Sequence, residues 1–195
     1  MVQKEKVRSV SYIQAINESL RQELERDPNV IVMGEDIAGG GEREDFEDAW
    51  GGPMRLTKGL VGDFGRERIR DTPISEAGFV GAGVGAAASG LRPVVDLMYV
   101  SFYGVCADQI TNNAAKMHYM FGGKVNVPLT IMTGIGAGTS SAAQHSETWG
   151  HPGRRCDGSP RRHIGGRCVG VPGRIGERAA GRLSFPGAGV PRNLG

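Results

Sequence analysis

Apolar residues at Ile13, Ile16, Leu20 and Leu24 recur at the three- and four-residue intervals of a single helix face. Ser11 stands where an N-cap would, and Asp27-Pro28 interrupts the pattern, so a helix is predicted between them. Val30 to Met33 then predicts a short buried strand that runs into Gly34-Glu35-Asp36. From Ala38 to Gly65 the periodicity is lost. That stretch, which contains GGGEREDFEDAWGGPM, is rich in glycine and charge and predicts a long surface loop, a length usually tied to function. Small residues from Ala77 to Ser89 suit a closely packed helix. Val94 to Val100 and Leu129 to Thr133 read as further strands, with a helix from Gln109 to Met120 between them. Strand alternating with helix predicts an α/β fold with a mainly parallel sheet and flanking helices.

In such a sheet, ligands sit beyond the carboxyl ends of the strands. The loops selected by that rule follow Met33, precede Ala77, follow Val100 and follow Thr133. They carry Glu35, Glu76, Phe102 and the glycines Gly134, Gly136 and Gly138.

Composition adds a boundary to this picture. The 195 residues hold 23 basic and 21 acidic side chains, and this near balance conceals a break at Trp149. Residues 1–149 carry 14 basic and 19 acidic side chains, whereas residues 150–195 carry 9 and 2. The 46 residues after the break include 12 glycines, 9 arginines and 5 prolines, no lysine, and only 13 apolar residues without periodicity. Such a segment buries too little to offset its ordering entropy, so 150–195 is expected to be a disordered tail following a domain of residues 1–149. An Arg/Gly tail can bind nucleic acid electrostatically, but Phe185 is its single aromatic available for base stacking. His151, Cys156, His163 and Cys168 lack the tight C-x2-C pairs of strong zinc sites. Arg, Gly, Pro and Ala are the residues that GC-rich codons produce out of frame, and that is the reading favoured for the tail. No apolar run reaches the roughly 18 residues of a membrane span. The N-terminal MVQKEKVRSV has no apolar core of a secretory signal. Three scattered cysteines form no disulfide framework. A soluble cytoplasmic protein is expected.

Within the first segment, Gly81-Ala82-Gly83-Val84-Gly85-Ala86 fits the dinucleotide fingerprint G-x-G-x-x-G/A. It follows Thr72-Pro73-Ile74-Ser75-Glu76 rather than an apolar strand, and Asp96 lies too near to serve as the ribose-binding acid. Close helix packing is the better account of these glycines, and a Rossmann-type nucleotide binder is kept as an alternative. Glu76, at the start of the helix, is by itself no more than a carboxylate suited to a helix N-terminus. His145 alone reads as a surface histidine, and Cys106 as a buried thiol.

The combination and order of these pieces change that balance. The blocks GED (34–36), DTPISEAGFVGAGVGAA (71–87), GLRPVVDLM (90–98), DQITNNAAK (108–116), MFGGK (120–124) and AAQHS (142–146) closely resemble the β subunit of the thiamine-diphosphate-dependent E1 component of 2-oxoacid and acetoin dehydrogenase complexes. The resemblance runs over residues 8–148, and AWGG and MFGGK are more like the acetoin or bacterial pyruvate branches. It implies a transketolase-like pyrimidine-binding domain, truncated after about residue 149. It also implies that Glu76 contacts N1′ of the aminopyrimidine, that Ile74 and Met98 line the pocket, that Phe102 packs on the ring, and that His145 reaches the active-site channel. A carboxyl sharing a proton with N1′ favours the imino tautomer that deprotonates C2. The resemblance further implies an E1 α subunit holding Mg²⁺ and the diphosphate in an α2β2 heterotetramer, and a lipoyl-bearing E2 that receives the acyl unit. Metal ligands, nucleic acid and membrane contacts are not expected on this chain.

If the tail is out of frame, a shifted reading of the coding DNA after codon 149 should encode an apolar α/β continuation. Stop codons soon after that point in both other frames would refute the idea.

Overall fold

The computed structural model describes residues 9–39, 50–135 and 141–146, and the backbone of 166–170. Five strands form one parallel sheet in the order β2-β1-β3-β4-β5: β1 (Val30–Glu35), β2 (Ile69–Thr72), β3 (Arg92–Tyr99), β4 (Leu129–Gly134) and β5 (Gly166–Gly170). Helix α1 (Tyr12–Arg26) begins at Ser11 with a reciprocal capping box to Gln14 and ends at Asp27, as the pattern predicted.

The strands alternate their side chains between two cores. Ile31, Met33, Val95, Leu97, Leu129 and Ile131 face one side, where they meet Phe79, Val80 and Val84 of α3 (Glu76–Ala88). Val30, Val32, Val94 and Met132 face the other, against Leu20 and Leu24 of α1 and Leu60 and Val61 of α2 (Leu60–Phe64). Both faces of the central strands are therefore covered, which accounts for their nearly unbroken apolar runs. The glycines of α3 set how closely it lies on the sheet. A Cβ on Gly83 would come within 2.8 Å of Val95 Cγ2 and 3.2 Å of Leu129 Cδ1. The 81–86 glycine run thus lies inside a helix rather than at a strand-to-helix turn, and its packing reading holds.

Several boundaries differ from expectation. The predicted surface loop over 38–65 is partly core: Ala38, Leu56, Thr57, Leu60 and Val61 are buried, and Thr57 Oγ1 donates to the carbonyl of Ile37, the buried residue just before it. Turns bring these residues inward, so no helical or alternating period announces them; residues 40–49 lie outside the described residues. Strand β2 carries one buried side chain, Ile69, among charged neighbours at the sheet edge and left no recognisable run. The helix predicted over 109–120 starts earlier, as α4 (Tyr103–Asp108), a π-helical segment (Gln109–Ala114) and α5 (Ala115–Met120). Five residues of the tail, expected to lack structure, pair in parallel with β4 as β5. The open edge of β4 accepts a strand through its backbone groups, which demands little of side-chain pattern. His151, Cys156 and His163 lie outside the described residues, as do Gly136 and Gly138.

Gly83→Val is expected to destabilise the chain by about 1–3 kcal/mol through overpacking against β3 and β4. Gly85 faces open space in the same helix, and Gly85→Ala should stabilise by about 0.5–1 kcal/mol through helix propensity. Urea denaturation of the two variants reads both signs; equal effects would mean that α3 does not lie on the sheet through Gly83.

Candidate active site

The chemistry gathers at the carboxyl edge of the sheet. Helix α3 begins at Glu76, whose side chain is buried at 8% exposure, while Ser75 makes no side-chain cap bond. The helix N-terminus therefore faces a carboxylate from its own first residue, a favourable placement for negative charge. Glu35 ends β1 on the same edge. Burial raises the Glu35 carboxyl above its ordinary range, and the negative charges of Asp36 and Glu76 raise it further. Two carboxyl groups from separate elements thus lie close enough for the charge of Glu76 to raise the proton affinity of Glu35.

The adjoining part of the edge is aromatic. After β3 the chain makes a 3-10 turn over Val100–Phe102 and enters α4. Phe102 is half-buried against the core. A second short turn, Ala143–His145, brings His145 onto this group. The His145 ring stacks on Tyr99 at 4.3 Å between centroids and meets Phe102 edge-on at 5.4 Å. Its Nδ1 lies 3.4 Å from Ser101 Oγ. Phe102 and His145, both expected at the site from the resemblance, are therefore neighbours.

Met98, near the end of β3, has a left-handed backbone, φ +67°. Its N–H donates to Asp96 Oδ1 at 2.9 Å. Asp96 is 5% exposed, and burial pushes its carboxyl up to about 6 from an ordinary 3.8, the bond from Met98 acting in the opposite direction. Ile74 stands apart from the other expected residues: it is 78% exposed and is not enclosed by the described part of the chain. A large open groove of about 1230 Å³ occurs at the other end of the strands, lined by Arg92, His118, Tyr119 and Lys124 among others. It contains none of the expected site residues, and the geometry described above favours the carboxyl edge.

A family model described as the pyrimidine-binding domain of transketolase matches residues 8–149. The chain belongs to the transketolase pyrimidine-binding domain family. Among relatives, the β subunit of acetoin:2,6-dichlorophenolindophenol oxidoreductase from Bacillus subtilis is 51% identical over 143 residues, 72% of this chain and 42% of that protein. The protein of the same description from Cupriavidus necator is 53% identical over 140 residues, covering 72% and 41% of the two chains. The pyruvate dehydrogenase E1 component subunit beta-1 of Arabidopsis thaliana is 42% identical over 135 residues, covering 69% and 34%. The chain thus aligns with roughly two fifths or less of the length of these relatives. All five expected site residues fall within the segment matched to the pyrimidine-binding domain.

Two members of the edge were not singled out from the sequence. Tyr99, the platform under His145, carries no motif of its own. Asp96 lies too near the glycine run to contact a ribose, yet it is the one charge in the apolar run Val94 to Val100. A charge in a doubly covered strand is the signal that could have found it.

Glu76→Gln removes one of the negative charges that raise Glu35, so the Glu35 titration midpoint should move down. Carbon-detected NMR of the side-chain carboxyls measures it. An unchanged midpoint would mean that the two carboxyl groups do not sense each other.

Proposed function

We propose that the chain acts as the pyrimidine-binding half of a thiamine-diphosphate site in an E1-type β subunit, of the acetoin-cleaving rather than the pyruvate-oxidising branch. The observation that carries this is the buried Glu76 carboxyl at the head of α3, beside Glu35 on the edge that also presents Met98 and Phe102. The donor set fits an aminopyrimidine: an acid able to hold a proton against a ring nitrogen, a thioether and an aromatic face. Identities of 51% and 53% to the acetoin-type subunits, against 42% to the plant pyruvate dehydrogenase subunit, support the branch. The family match ends at residue 149, where the composition changes, and this supports a pyrimidine-binding domain of 1–149 followed by a tail of different composition over 150–195, from which 166–170 pairs with β4.

Thiamine diphosphate, when bound, supplies a nucleophilic carbon at C2 of its thiazolium ring. In this reading Glu76 would hold and return a proton at N1′ of the pyrimidine. Phe102 would supply an aromatic face for the ring, and Met98 and Ile74 would line the pocket. His145, held by Tyr99 and Phe102, would reach the active-site channel and help position the transfer to the lipoyl group.

The partner is an α subunit that supplies Mg²⁺ and the diphosphate contacts in an α2β2 heterotetramer, and a lipoyl-bearing E2 accepts the two-carbon unit. Among the described residues no helix is long and apolar enough to cross a membrane, and a cytoplasmic location accords with this reading.

The test pairs the chain with an acetoin-type α subunit and measures hydrogen–deuterium exchange at C2 of bound thiamine diphosphate. Glu76→Gln should slow exchange by roughly 10² to 10⁴ and weaken cofactor binding much less. Phe102→Ala should instead weaken binding through lost ring packing. Exchange in Glu76→Gln as fast as in the parent would refute the role of Glu76.

A further inference from the structure

Asp96 is a buried carboxyl that no step above uses. Its neighbours on β3, Val94, Val95 and Leu97, are all buried and apolar, and a strand needing stability alone would carry another apolar residue there. The surroundings are shaped to admit it. A Cβ on Gly34 of β1 would lie 2.8 Å from the Asp96 carbonyl oxygen and 2.9 Å from the Asp96 Cβ, so any side chain at 34 would displace it.

The carboxylate accepts the N–H of Met98 two residues on, at 2.9 Å. At that point the strand departs from regular geometry. Met98 adopts φ +67°, a conformation that non-glycine residues take at a cost and keep only where the surroundings hold them there. The pairing with β4 also slips: Asp96 pairs with Met132 but Tyr99 with Gly134, so three steps along β3 match two along β4. One extra residue in one strand turns the side chains that follow. Those residues are Tyr99, on which His145 stacks, and Phe102, which meets His145 edge-on.

We propose that Asp96 is a positioning residue: by accepting the Met98 N–H it holds the bend in β3 that seats Met98, Phe102 and, through Tyr99, His145. The inference rests on the proposed function only for what these three side chains do once seated. The bend itself is a property of the chain and can be measured without cofactor.

The experiment uses the full 195-residue chain and reads the ring protons of His145 by NMR, assigned with a His145→Gln variant. Stacking on Tyr99 displaces these resonances upfield. Asp96→Asn keeps an oxygen acceptor in place and should retain the displacement. Asp96→Leu fills the volume without an acceptor and should lose it, while the methyl signals of Val95 and Leu129 stay dispersed. Adding Met98→Gly to Asp96→Leu should restore it, because glycine adopts the left-handed conformation unaided. A folded Asp96→Leu chain with the His145 displacement intact would overturn the proposal. Should Asp96→Leu not fold, recovery of both fold and displacement in the double variant would support it, and an unfolded double variant would overturn it by showing that Asp96 acts through global stability. A separate thiamine diphosphate titration of the parent chain with an α subunit tests the function itself. Failure there would leave the His145 result standing.

Discussion

The fold turns on how closely α3 lies against the sheet. At Gly83 the helix has no side chain, and Val95 and Leu129 occupy the space that a Cβ would need. This contact draws the helix down onto β3 and β4 and brings its first residue over the carboxyl edge. Glu76 is then near enough to Glu35 for the charge of one to raise the proton affinity of the other. A helix standing further from the sheet would bury more side chain, but it would carry its N-terminus away from β1. Glycine in a helix interior weakens it locally; here the loss is offset by the position it secures for an acid.

Departures from local rules collect on the same edge. Of the four non-glycine residues with left-handed backbones among the described residues, Asp36, Arg55, Met98 and Ala142, two stand here, at Asp36 and Met98; Asp96 is a carboxyl enclosed by apolar side chains, and Glu76 is a buried carboxyl at a helix end without a side-chain cap from Ser75. Away from this edge α1, β1 and β3 follow pattern closely, as the capping box at Ser11 and the two-sided burial of the two strands illustrate, although the π-helical segment Gln109–Ala114 departs from it. Strain and buried charge persist where the surrounding packing over-determines them, and their concentration in one place is physical evidence of a site, independent of any resemblance.

Much of this was legible in the sequence, for reasons that differ by element. The doubly covered strands β1, β3 and β4 appear as apolar runs, and α1 through its stripe and cap. Strand β2 was hidden because a sheet edge asks for one buried residue, Ile69, and β5 because backbone pairing leaves little trace in side chains. The packed turns over 50–59 were hidden because irregular chain buries residues at irregular intervals. For the site, the rule of strand carboxyl ends selected Glu35, Glu76 and Phe102 correctly as edge residues. It could not foresee that His145 would lie on Phe102, since that contact joins residues separated by two helices and a strand. Asp96 was in plain view, but a lone acid in an apolar run gains meaning only once both faces of its strand are known to be covered.

Ile74 offers a last consequence. An isoleucine with 78% of its surface in water, between exposed Pro73 and Ser75, stands on the three-residue link that leads into Glu76. Covering such a side chain is worth about 1.5–3 kcal/mol, or roughly ten- to a hundredfold in an association constant. The covering surface would also immobilise the link and thereby bias where the Glu76 carboxyl rests. Coupling of this kind is reciprocal: a ligand that favours one position of Glu76 must, to the same extent, favour whatever surface closes over Ile74. Each would act as an effector of the other's binding.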